Sequence, residues 1–250
     1  MRAAELEKMF KLEDTYWWFV ARRSLVRDLL ARYRPASKSG EGDRLQIVDV
    51  GCGTGATLRV LAEVGEVVGI DSAREALGFS RRRGDHRLAL ARAEALPVQS
   101  GSIDVITALD LLEHIPDDAA AAVEFARALR PGGLLLVTAP ALPWLWSEHD
   151  EALAHLRRYR AVQLRRVLES AGFKIERLSP VITLLLIPIA ALRLLQRLLP
   201  RRNARPETAF IVPPVPINLL LIGLLWLENR WALRWNLPVG VSLMAVARKG

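Results

Sequence analysis

The sequence holds a single cysteine, Cys52, so no disulfide can form within the chain, and nothing marks it for an oxidising compartment. It also lacks any clean apolar run of the ~18–20 residues that a spanning helix needs. The two longest apolar runs are Val181–Leu192, interrupted by Pro188 and ended by Arg193 and Arg197, and Ile217–Leu227, followed at once by Glu228, Arg230 and Trp231. The stretch Met1 to Asp14 is charged and has no apolar core of the kind a secretory signal carries. Internal repeats and low-complexity tracts are absent, which excludes solenoid and disordered architectures. These absences make the cytoplasm, or the inner face of its membrane, the expected location.

What is present is ample core material and an excess of positive charge. The chain has 250 residues, of which 51% are apolar, enough for one substantial α/β domain. The net charge of +8 invites a nucleic-acid reading, because Lys and Arg neutralise phosphates. The basic residues are nearly all Arg, however, and are scattered through Ala- and Leu-rich segments, a pattern equally suited to a face resting on anionic lipid.

Three stretches follow one another. Residues 1–34 read as an N-terminal helical lid with an aromatic cluster at Tyr16, Trp17, Trp18 and Phe19, and a polar linker, Pro35 to Asp43, ends it. Short β-rich runs then alternate with helical segments, at Leu45–Val50, Val67–Ile70, Arg87–Leu90, Ile103–Ala108, Leu134–Thr138 and Phe173–Leu178. Such alternation predicts an α/β fold with a parallel sheet covered on both faces. The third stretch, 179–238, is apolar and Pro-rich, and a last strand is expected at Val239–Ala247. The main domain therefore comprises 45–178 and 239–250, with 179–238 as a hydrophobic helical insert.

The chemistry begins where the strand Ile47–Val50 meets Gly51, Gly53 and Gly55. Glycines suit a sharp turn whose backbone must approach a ligand closely, and the following helix offers unpaired N–H groups. Asp71 closes the next strand about 20 residues on, where a ribose hydroxyl is expected in a nucleotide-binding α/β unit. The bland alternative is that Asp71 merely caps a helix. Gly51 to Ala56 also fits the G-x-G-x-x-G/A pattern of NAD or FAD sites, so an NAD(P)-dependent Rossmann enzyme stays open at this point.

Further residues bear on that choice. Asp49 precedes the turn, where its carboxylate would repel a pyrophosphate. Ala91–Pro97, Gly101–Ile106, Leu111–Asp117 and Leu129–Gly133, the last leading into a β run that ends at Pro140, follow in order. Together these resemble the motif series of class I S-adenosylmethionine-dependent methyltransferases (type 11/23) over Leu45 to Pro140. The resemblance implies a Rossmann-like seven-stranded sheet with its last strand antiparallel, and S-adenosylmethionine as cofactor. It implies that Asp49, Gly51, Cys52, Gly53 and Gly55 hold the methionine moiety, and that Asp71 and Ser72 take the ribose. Ala93 and Glu94 would lie beside the adenine, and Asp110 and Leu111 would line the pocket after the fourth strand. Arg92 departs from the pattern: many members carry an acid there for the adenine amino group, and a guanidinium has no acceptor.

The acceptor is less legible. If it is a hydroxyl, a base assists, and His149 and His155, beyond the fifth strand, are the candidate catalytic residues. Arg157, Arg158 and Tyr159 could grip an anionic substrate group, and Trp17 and Trp18 could cover its mouth, though such a cluster is more often core. His149, Asp150 and His155 match no standard metal spacing, so no metal is expected. The Asp/Asn-Pro-Pro-aromatic tetrad of nucleic-acid amino methyltransferases is missing, since Ala108–Leu111 stands in its place. The expected activity is O-methylation of a lipophilic or lipid-linked acceptor, glycan or quinone-like. A membrane-associated binding protein without transfer chemistry is the reading from another class. Arg and Trp flanking the insert suit an interfacial anchor over 181–235, with a homodimer interface as the alternative.

Overall fold

The computed structural model describes residues 3–35, 44–84, 87–198, 208 and 210–250. Its centre is a seven-stranded sheet in the order β3-β2-β1-β4-β5-β7-β6. The strands are β1 (Leu45–Val50), β2 (Gly65–Asp71), β3 (Arg87–Leu90), β4 (Ile103–Leu109), β5 (Leu129–Pro140), β6 (Phe173–Val181) and β7 (Ser242–Lys249). All neighbours pair in parallel except β7, which slots antiparallel between β5 and β6. Each expected strand is therefore present, with shifted bounds. β5 starts at Leu129 rather than Leu134, and the last strand begins at Ser242 rather than Val239. Just before it, Gly240 passes so close to β6 that a Cβ there would stand 2.2 Å from the Val181 carbonyl oxygen.

Period-two alternation divides the core. Leu135, Val137, Ala245 and Ala247 face one cluster, which is closed by Phe125 of α5 (Asp118–Ala128) and by Leu164 and Leu168 of α7 (Ala161–Ser170). Leu134, Leu136, Met244 and Val246 face the other, beneath Leu25, Val26, Leu29 and Leu30. Those four belong to α2 (Trp17–Tyr33), which follows α1 (Ala3–Leu12). The N-terminal segment is thus two helices rather than one. The chain breaks at Glu13–Tyr16, where the Glu13 and Asp14 side chains leave the helix for Thr54, Arg59 and Arg83.

The insert emerges from β6 as α8 (Leu186–Leu198) and returns through α9 (Val215–Ala232). Buried Glu228 on α9 anchors its start by accepting hydrogen bonds from the backbone N–H groups of Ile182, Thr183 and Leu184. Asn218 and Asn229 tie α9 to the turn before α2 and to α2 itself by donating to the Thr15 and Ala21 carbonyls. Tyr16, Trp17, Phe19, Leu185 and Leu225 then make a second core between the N-terminal helices and the insert. The opposite side of the insert stays apolar and exposed, with Ile187, Leu219, Leu220, Leu227, Trp231 and Trp235 on the surface. Among the described residues no helix is long and apolar enough to cross a membrane.

Candidate active site

Strand order reverses between β1 and β4, so the crevice beyond their carboxyl ends is where an open α/β sheet binds its ligand. A cavity of about 720 Å³ lies there and runs from Gly51 and Asp71 to Leu185 and Leu221 of the insert region. Gly51, Gly53 and Gly55 have φ of +72°, +55° and +84°, values that favour glycine. Space is a second constraint at Gly55, where a Cβ would sit 2.3 Å from Ser80 Oγ on α4 (Arg74–Arg81). Gly53 is different, since the position of its missing Cβ is open to within 4.0 Å, leaving a bare backbone cradle. Asp71 rigidifies that cradle by accepting from the Gly53 N–H at 2.9 Å and the Ala73 N–H at 2.8 Å.

Asp49 is buried beneath the turn and accepts from Thr107 Oγ1 at 2.6 Å. Burial pushes its carboxyl up to about 7, against the pull of the Thr107 hydrogen bond and of Arg22. Arg22 pairs with Asp110 at 2.5 Å, while its Nε is buried without a hydrogen-bond partner. An acid and a guanidinium with an orphaned donor, both lining one cavity, fit the ammonium and carboxylate of an amino acid. Above the turn, Arg83 donates to the Thr54 and Phe10 carbonyls and pairs with Glu13 and Asp14, which staples the α1–α2 corner onto the cradle.

The far end of the cavity is polar on one side. Glu113 and His114 sit on a single 3-10 turn (Leu112–His114) after β4. His149 and Asp150 sit on α6 (Glu148–Ala152), and His155 follows it. Asp150 receives His155 Nδ1 at 2.9 Å and Arg158 Nε at 2.7 Å, with Arg193 of α8 at 3.5 Å. Although burial opposes it, His155, Arg158 and Arg193 hold the Asp150 carboxyl below the usual carboxylate range. Burial lowers His149 to about 3 and His114 to about 4, so both are neutral imidazoles at neutral pH. Burial drives Glu113 well above the ordinary glutamate value.

Of the residues expected from sequence, Asp49, Gly51, Cys52, Gly53, Asp71, Ser72, Asp110 and Leu111 line the cavity together. So do Trp17, Trp18, His149, His155 and Arg158. Gly55, Ala93, Glu94, Arg157 and Tyr159 do not. Glu94 is instead paired with Arg92 at 2.7 Å, and Gly55 is packed under α4. The expectation that Arg157 and Tyr159 grip substrate meets donors already in use. Arg157 bonds Asp118 and the Pro116 carbonyl, and the Tyr159 hydroxyl donates to Asp118 at 2.5 Å. Arg158 is spent in the same way on Asp150 and the Ala141 carbonyl. Sequence reasoning missed Glu13, Arg22, Arg83 and Glu113 as site residues. For the three on or near helices, nothing distinguishes one arginine or acid from its many neighbours; Glu113 lay inside a motif that was read only as a family marker.

Comparison with known proteins points the same way. A family model described as a methyltransferase domain matches residues 18–178. A Mycolicibacterium smegmatis protein named "Probable S-adenosylmethionine-dependent methyltransferase" is 30% identical over 66% of this chain and 62% of its own length. A ubiquinone biosynthesis O-methyltransferase of Aromatoleum aromaticum is 29% identical over 52% of this chain and 59% of its own. The chain thus spans about three-fifths of the length of these two relatives. Among solved structures, one described as a complex between the Haloferax volcanii Trm112 methyltransferase activator and a methyltransferase superposes with a TM-score of 0.60 at 18% identity, covering 98% of this chain and 93% of that one. A Thermotoga maritima S-adenosylmethionine-dependent methyltransferase gives 0.57 at 15% identity, over 99% and 96%.

Proposed function

The chain belongs to the S-adenosylmethionine-dependent methyltransferase family, and on that premise we propose that it methylates an oxygen of a lipophilic or lipid-linked acceptor. The observation that carries this reading is the continuity of the cavity, which begins at the glycine cradle and ends among the apolar side chains of the insert. Relatives named as O-methyltransferases support oxygen as the atom methylated. The cofactor supplies an electrophilic methyl on a sulfonium, so the protein's task is largely alignment.

Asp49, Arg22 and the Gly53 backbone bind the amino-acid end, and Asp71 with Ser72 binds the ribose. The acceptor's polar head then meets the Glu113, His114, His149 and His155 side of the cavity. His149 and His155 are the side chains placed to receive a hydroxyl proton. Its apolar tail runs between Trp17, Trp18, Leu185, Ile189 and Leu221. The exposed face of the insert, with Trp226, Trp231 and Trp235 beside Arg230 and Arg234, suits the headgroup level of an anionic bilayer, from which such a tail would enter. The test is methyl transfer to one phenolic head carrying no tail, a short tail or a long prenyl tail. kcat/KM rises with tail length on this reading. Equal turnover of the tail-less phenol would remove the lipophilic acceptor while leaving methyl transfer intact.

A further inference from the structure

We propose that Glu113, His114 and His155 bind one divalent first-row transition ion of the zinc class. Glu113 is completely buried, and neither carboxylate oxygen has a hydrogen-bond donor. A buried acid without donors is costly as an anion, so it must either hold a proton or meet a cation. Two imidazoles stand beside it, while the Arg22 and Arg158 guanidiniums act on it without reaching its oxygens: His155 Nε2 stands 3.9 Å from Glu113 Oε1, and the His114 and His155 rings meet edge to face at 4.8 Å.

Each ring also has an acceptor at its Nδ1. His155 Nδ1 lies 2.9 Å from Asp150 Oδ1, and His114 Nδ1 faces the Ala154 carbonyl at 3.4 Å. The Ala154 carbonyl and the Asp150 carboxylate, itself paired with Arg158 and Arg193, both stand as acceptors at Nδ1, which leaves the Nε2 side of His155 to face Glu113. A carboxylate or carbonyl behind the non-ligating nitrogen is how metal-binding histidines are oriented. Ala154 has a φ of +59°, a left-handed conformation that alanine avoids, and it places this carbonyl against His114.

The ligand atoms of the three residues lie within 4.8 Å of one another. Around a tetrahedral ion at ~2.1 Å they would stand ~3.4 Å apart, so closing the site needs side-chain movements of about 1 Å. Two imidazoles and one carboxylate favour zinc-class ions over magnesium or calcium, and three protein ligands leave positions open. All three residues line the same cavity as the proposed acceptor head, and with an ion bound His155 Nε2 is a ligand, so the hydroxyl proton of the reading above falls to His149 alone. The ion-binding proposal itself does not depend on which acceptor is used.

The experiment titrates the chelator-stripped full chain with Co²⁺, followed by visible absorption and then by displacement with Zn²⁺. One equivalent of Co²⁺ should produce a d–d band that Zn²⁺ abolishes. Glu113→Gln and His155→Gln should each weaken Co²⁺ at least about tenfold while S-adenosylhomocysteine still binds, showing an intact fold. Absence of the band in the unaltered chain overturns the site, and so does a band of full intensity and affinity in both variants. Either result leaves methyl transfer itself standing, because S-adenosylhomocysteine binding reports separately on the cofactor end of the cavity.

Discussion

Replacing Asp49 by asparagine should strengthen the cofactor-free protein and weaken its hold on cofactor, and the size of the first effect follows from the site. Asp49 is 2% exposed and its carboxyl is raised from an ordinary 3.8 to about 7, chiefly because burial opposes its charge. Arg22 and the Thr107 hydroxyl pull the other way, while Asp71 and Glu13 add to the repulsion. A folded pKa above the unfolded one means that the native state holds a proton the unfolded chain has already released. Between pH 3.8 and 7 stability therefore falls as pH rises, by about 1.4 kcal/mol per pH unit, reaching about 4 kcal/mol above pH 7. An asparagine keeps an oxygen for the Thr107 hydroxyl but has no charge to bury.

The stability difference between the Asp49→Asn variant and the unaltered protein should thus be near zero at about pH 4 and grow to about 4 kcal/mol at about pH 8. Urea unfolding without cofactor, repeated across this range, measures it. In the same variant S-adenosylhomocysteine should bind more weakly at about pH 8, since its ammonium loses a counter-charge. Binding to the unaltered protein should tighten with pH up to about 7, as Asp49 ionises. A difference that stays flat with pH, or a variant less stable than the parent at the alkaline end, would refute the desolvated carboxylate.

Other positions give sharper single outcomes. Asp71→Ala removes the acceptor of the Gly53 and Ala73 N–H groups, and calorimetry should show S-adenosylhomocysteine binding at least about tenfold weaker, a loss of about 1.4 kcal/mol or more. Gly55→Ala combines a left-handed backbone with a 2.3 Å clash against Ser80 and should cost about 3 kcal/mol in urea unfolding, partly recovered by adding Ser80→Gly; a loss under about 0.5 kcal/mol would sink that account. Glu228→Ala strands the N–H groups of three residues at the root of the insert and should cost about 2–4 kcal/mol. Trp231→Ser with Trp235→Ser should lower flotation on anionic vesicles several-fold, and unchanged flotation would detach the insert's exposed face from any membrane role.

Most of the sheet was legible in the chain because its signals are local. A run such as Ile47–Val50 feeding three glycines declares strand and turn within a few positions, and the four apolar residues after Gly133 declare the body of β5. The glycine turn was legible for the same reason: Gly51 and Gly53 act through their own backbones, whereas the Asp71 side chain reaches the turn only because β2 lies beside β1. The ends of elements were less so: the need for glycine at 240 comes from Val181, a residue of a distant strand whose backbone occupies the space beside it.

What the tertiary structure alone decided is which of many similar side chains share one cavity. Arg22 is one of 35 basic residues, and only the packing of α2 over β4 and β5 brings it to Asp110 and Asp49. His155 lies 41 positions beyond His114, a separation that matches no ligand spacing, yet the chain's path through α6 sets their rings in contact. Arg157 and Tyr159 shared a promising stretch with it, and the same packing turned them onto Asp118. Local sequence thus determined the elements and the glycine turn, because hydrophobic period and glycine placement act over a few residues. The polar end of the cavity required the fold, because burial and long-range pairing, not residue type, determine what a histidine or arginine can do there.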